Sequence, residues 1–130
     1  ESDRQKLRQG VAEGVIDAIC SHHEPLSGTA KLAPFADTVA GISGFDTFMA
    51  LAVKLVTDGV LTPLQLTDRI VHAPSRLAGI EAYRHATGGW VLIDPEQAWR
   101  VQADQLQSVG QNTPFYGQTL TGRVERLLVD

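Results

Sequence analysis

Near the N-terminus, Val15-Ile16-Asp17-Ala18-Ile19-Cys20 reads as a strand that is apolar on nearly both sides, the pattern of a parallel strand covered by helices. A parallel strand needs parallel neighbours, each reached by a crossover of a dozen or more residues. The remainder of the 130-residue chain offers none close by, so the run points to a truncated barrel or sheet. Its end is polar, Ser21-His22-His23-Glu24.

The other segments read as helices first and strands last. Ser2 and Asp3 are placed to cap a helix through about Ala12, with Leu7 and Val11 four apart and Gly14 as its stop. Pro25 to Gly44 is rich in Gly, Pro, Ser and Thr, a loop beyond the ~12–15 residues at which structureless loops become uncommon. From Phe45 to Val56 helical periodicity sets Phe45, Phe48, Met49, Ala52, Leu55 and Val56 on one apolar stripe, closing at Gly59. Thr62-Pro63 opens a further helix with Leu64, Leu66, Ile70 and Val71 facing inward, and Ala73-Pro74 is expected to interrupt it. After Gly88-Gly89 come three short strands, Trp90–Ile93, Trp99–Gln102 and Thr119–Val129.

Composition removes several function classes. The chain is 43% apolar and 20% charged with a mean hydropathy of -0.06, which suits neither a disordered segment nor a membrane protein. Lys and Arg number 11 against 15 Asp and Glu, without a basic cluster, so neither nucleic acid nor an acidic membrane surface is an expected partner. One cysteine, Cys20, excludes an internal disulfide framework and makes a reducing cytoplasm the default. No segment reads as a signal peptide. The start at Glu1 fits N-terminal processing or a piece of a longer protein.

On a regular strand Cys20, His22 and Glu24 would point one way, Ser21 and His23 the other. A catalytic zinc usually takes three protein ligands, and one strand end supplies one or two, so the polar end by itself favours no metal site. Cys20 lacks a paired base and reads as a small core residue. Gly41 and Gly44, ahead of a helix, could offer backbone N–H groups to an anion; without a full phosphate-loop pattern a plain turn is favoured. Trp90, Trp99, Phe115 and Tyr116 are too dispersed for a stacking platform and read as core.

Taken in order, Ile19-Cys20-Ser21-His22-His23-Glu24-Pro25-Leu26, the Lys31…Pro34-Phe35 loop, Gly41-Ile42-Ser43-Gly44-Phe45-Asp46-Thr47, Pro74-Ser75-Arg76-Leu77-Ala78-Gly79, Ile93-Asp94-Pro95 and Asn112-Thr113-Pro114-Phe115-Tyr116-Gly117…Gly122-Arg123-Val124 resemble the C-terminal third of a dihydroorotase. The Asn-Thr-Pro-Phe stretch followed by Gly-Arg-Val is the most specific part. The resemblance implies an α/β fold of the amidohydrolase superfamily, the C-terminal part of a (β/α)8 barrel plus a small β-rich segment. Residues 1–80 would supply the last strand and helices of the barrel. Residues 81–130 would help complete a small β domain, with the rest of the barrel as their necessary partner.

In that family a metal-activated hydroxide interconverts N-carbamoyl-aspartate and dihydroorotate in pyrimidine biosynthesis, with an aspartate at the end of the eighth strand as metal ligand and base. The family's run there is Thr-Asp-His-Ala-Pro-His. By resemblance His22 stands at the aspartate, His23 and Pro25 are kept, and Leu26 replaces the histidine that holds the substrate carboxylate. Val39-Ala40-Gly41 keeps only the glycine of the family's Pro-Phe-Gly, whose backbone could meet substrate. Ala73-Pro74 replaces an Asn-Pro, and Gly88-Gly89-Trp90 shortens a Gly-x-x-Ala-Asp-Leu turn. A neutral imidazole can ligate zinc but lacks the charge and second oxygen of a carboxylate, and an aliphatic Leu26 cannot pair with an anion. The pattern resembles the inactive dihydroorotase-like chains that accompany some bacterial aspartate transcarbamoylases, which implies an oligomeric, cytoplasmic scaffold without cofactor. The alternative is a zinc-dependent dihydroorotase or related cyclic amidohydrolase in which His22 is a metal ligand. A third reading, from the residues alone, is an independently folding α+β domain.

Overall fold

A computed structural model describes residues 1–80 and 89–128. Helix α1 spans Ser2–Glu13 with Glu1 at its N-cap position and no side-chain cap, so Ser2 and Asp3 lie within the helix; it ends on Gly14 at φ 81, a left-handed turn that glycine makes without strain. Helix α2, Phe45–Thr57, passes through Asp58 to Gly59 at φ 71. Helix α3, Pro63–Thr67, opens with a capping box: Thr62 Oγ1 accepts from the Gln65 amide at 3.2 Å and Gln65 Oε1 accepts from the Thr62 amide at 2.9 Å.

Pro74 does not end this helical run. A wide π turn over Asp68–His72 leads into α4, Ala73–Leu77, spreading the backbone where proline lacks its N–H and where its ring would crowd the carbonyl four residues earlier. Among the described residues two strands follow in place of three: β1, Trp90–Arg100, and β2, Thr119–Leu128, form an antiparallel pair. The two shorter expected runs join through a bulged stretch between Asp94 and Ala98, where Asp94 Oδ1 accepts from the amides of Glu96 (2.8 Å) and Gln97 (3.1 Å). The expected Gly88 turn, the start of the 81–130 segment and the end at Val129 lie outside the described residues.

The expected strand over 15–20 does not form: Val15 and Ile16 close the turn after α1, their amides donating to the Gly10 carbonyl at 2.9 and 3.0 Å, and residues 17–20 have no regular structure, with the Ile19 amide donating to the Arg69 carbonyl at 2.9 Å. Among the described residues the only parallel pairing nearby is the isolated bridge between His23 and Ile42. Ile16 and Ile19 pack on one side against a core of Val11, Ala52, Leu61 and Leu66, whereas Val15 is 76% exposed and Cys20 is exposed, contrary to its reading as core. The described chain covers one face of this run and brings no strand alongside it. A second core joins Ala50 of α2 to Trp99, Val101 and Leu106. Helix α2 thus buries two faces, Ala52 toward the first cluster and Ala50 toward the second. The single-stripe expectation fails at Phe45, 68% exposed, as the inward expectation fails at Leu64, 78% exposed. No helix of the described residues is long and apolar enough to cross a membrane.

Charged contacts tie the helices at the surface. Hydrogen bonds from Lys54 and then Arg8 hold the Asp58 carboxyl below its ordinary 3.8, and a hydrogen bond from Arg76, aided by the charges of Arg76 and Arg69, does the same for Asp68. The stability these carboxylates contribute is complete above the ordinary carboxylate range and is lost as pH falls through their lowered folded-state values. The thermal midpoint should therefore drop progressively below about pH 4. Asp58→Asn and Asp68→Asn should each flatten that dependence; an unchanged slope in both variants would refute the assignment.

Candidate functional site

The polar end of the extended run is shaped by three backbone features. His22 has φ 42, the one positive φ on a non-glycine residue among those described, which breaks the two-residue alternation expected for Cys20, His22 and Glu24. His22 and Glu24 nevertheless meet, with Nδ1 to Oε1 at 3.8 Å, and both side chains are at least half exposed. Gly41 is at φ 118, and Gly44 precedes α2 so closely against Ser21 that a Cβ there would lie 2.6 Å from the Ser21 carbonyl oxygen.

His23 has a structural task. Its Nδ1 accepts the Phe45 amide at 3.1 Å, capping α2, with its ring edge-on to Phe45 at 5.8 Å. That bond requires Nδ1 to be free of a proton. It also occupies the first amide of α2, so the turn reading of Gly41 and Gly44 fits better than an anion cradle.

Asn112 binds this end to the C-terminal half of the chain. Its Oδ1 accepts from the Leu26 amide at 2.6 Å, and its Nδ2 donates to the Gly41 carbonyl at 3.0 Å and the Glu24 carbonyl at 3.4 Å. Its own carbonyl accepts from the Ser43 amide at 3.3 Å. Gly110 lies under the same strand end: a Cβ there would be 2.5 Å from the Leu26 nitrogen. Asp46, in the first turn of α2, accepts from the Gln107 amide at 2.7 Å and from the Ser108 hydroxyl. Leu26 itself is partly buried. These roles of Asn112, Gly110 and Asp46 are not readable from local pattern, because each partner is 61 or more positions away; Asn112 and Asp46 fall within motifs singled out by type and order, and Gly110 does not.

Between residues 19–21 and α2 runs an apolar groove of about 240 Å³, lined by Ile19, Cys20, Ile42, Phe48, Leu51 and Phe115 among others. A zinc centre finds little here. Among the described residues no three His, Cys, Asp or Glu side chains come together, and one nitrogen of His23 is already engaged. His22, Leu26 and Gly41 are brought to one strand end, where His22 is the one imidazole among the three and faces the Glu24 carboxylate. Among the described residues this end could supply part of a metal's ligand set and not the three that a catalytic zinc usually takes.

No family model matches the chain. It is 44% identical over 132 residues to a dihydroorotase-like protein of Pseudomonas aeruginosa, covering 99% of this chain and 31% of that protein. It is 35% identical over 130 residues to a dihydroorotase of Syntrophus aciditrophicus, covering 98% and 30%. A D-hydantoinase structure superposes with a TM-score of 0.85 at 17% identity over 98% of this chain and 30% of that one. The inactive dihydroorotase-like domain of a Chaetomium thermophilum CAD-like multifunctional protein gives 0.66 at 23% identity over 99% and 34%. The chain thus spans about a third of the length of these proteins and has the mixed α/β fold of the C-terminal part of such amidohydrolases; the described residues by themselves close no barrel.

Proposed function

Because the chain is dihydroorotase-like from end to end, we propose that it is the C-terminal part of a pyrimidine-pathway protein that has lost the hydrolase reaction and serves as a structural partner of aspartate transcarbamoylase. In this reading residues 1–80 supply the last strand and helices of a barrel, residues 81–130 a small β-rich segment, and the remainder of a longer chain closes the barrel over the exposed side of residues 15–20. The protein would act in the cytoplasm, as an oligomer and without a cofactor.

One contrast supports the proposal: a strand end held in shape by its own contacts, beside positions that the resemblance assigns to catalysis and that here carry His22 and Leu26. Asn112, Gly110 and the His23 cap hold the loop in shape, but His22 and Leu26 provide neither a carboxylate for a metal-bound hydroxide nor a cation for an anionic substrate. Folds outlast the sites grafted on them.

The test is made on the full-length protein. Zinc analysis should find essentially none, assays should find no conversion of N-carbamoyl-aspartate to dihydroorotate, and the protein should co-elute with aspartate transcarbamoylase. About one or two zinc ions per chain together with turnover would replace the proposal by an active dihydroorotase or related cyclic amidohydrolase with His22 as ligand.

A further inference from the structure

We infer that Glu24 is a specificity-determining residue that closes this strand end to anionic ligands by placing its own carboxylate between His22 and Gly41. The inference rests on the proposed reading of the strand end as a former substrate site. One carboxylate oxygen, Oε1, faces His22 Nδ1 at 3.8 Å. The other, Oε2, lies over Gly41, where a Cβ would come within 2.6 Å of it and within 2.8 Å of Glu24 Cβ. The carboxylate thus stands between the imidazole and the glycine backbone.

The placement is fixed by the backbone. The Glu24 amide donates to the Ile42 carbonyl at 2.8 Å and its carbonyl accepts from Asn112 Nδ2 at 3.4 Å, so only side-chain rotation can move the carboxylate. An exposed pair of this kind adds little to stability, which leaves its electrostatic effect as the consequence that matters. Two like charges a few ångströms apart repel even under partial solvent screening. The nearest described lysine in the loop, Lys31, has its ammonium on the Val39 carbonyl, and Leu26 brings no charge, so among the described residues of this loop a second carboxylate arriving here meets Glu24 without a lysine or arginine to offset it.

Calorimetric titration of the full-length protein with N-carbamoyl-aspartate, and with succinate as a simpler dianion, tests this. Glu24→Ala and the near-isosteric Glu24→Gln should each bind at least tenfold more tightly than the unaltered protein, with the gain shrinking as salt is added. Adding His22→Ala to Glu24→Gln should remove the gain, which locates it. Binding by both single variants as weak as that of the unaltered protein, or equally tight binding by all three, would overturn the inference. Glu24→Gln keeps the side-chain size and so decides the matter if Glu24→Ala impairs folding. Zinc and turnover in the unaltered protein would instead refute the functional reading, and the binding contrast would still be read by itself.

Discussion

Replacing Trp99 by alanine is expected to lower the stability of the protein by about 3–5 kcal/mol, the range for emptying an aromatic site in a packed core. Trp99 is the largest side chain of the cluster that joins the hairpin to α2, packed with Ala50, Val101 and Leu106 and flanked by Phe115 and Leu120. Its indole N–H donates to the Gly122 carbonyl at 3.1 Å, and the Arg123 guanidinium lies 5.6 Å from its ring centre. Gly122 cannot readily yield space, since at φ 99 a Cβ would already sit 3.1 Å from Val53. Trp99→Phe should cost less, about 1–3 kcal/mol, because it keeps an aromatic ring and gives up mainly the hydrogen bond and part of the volume. Urea denaturation followed by circular dichroism separates the two; a Trp99→Ala midpoint equal to that of the unaltered protein would show that the hairpin contributes nothing to the cooperative unit.

Local signals were readable without a structure. Gly14 stops α1 and Thr62-Pro63 opens α3, because caps depend on residues within a turn of one another. The exposed or buried side of a helix was less readable: Phe45 and Leu64 obey helical spacing but stay mostly exposed among the described residues. Pro74 misled because a π turn absorbs the missing donor. The polar end was legible as a place and not as a device. Residues 20–26 could be marked from type and order, but the left-handed His22 and the His23 cap on Phe45, 22 positions away, are tertiary facts. The resemblance marked these positions; the contacts that hold them are visible only in the folded chain.

Asn112→Ala should destabilise the protein by about 2–4 kcal/mol, because it leaves the partly buried Leu26 amide and two carbonyls without the partners that Asn112 gives them, and each such loss costs about 1–3 kcal/mol before relaxation and water recover some of it. The loss should be local before it is global. The hydrogen-exchange protection of the Leu26 amide should fall sharply in Asn112→Ala, while amides in the middle of α2, which bond within their own helix, lose only what the overall destabilisation dictates. Asn112→Asp should be no better. Its carboxylate still accepts from Leu26 but brings a negative oxygen against the Gly41 and Glu24 carbonyls, where an amide now donates. If Leu26 kept its protection in both variants, Asn112 would not be what holds the strand end, and the retained architecture behind the proposed scaffold role would need another cause.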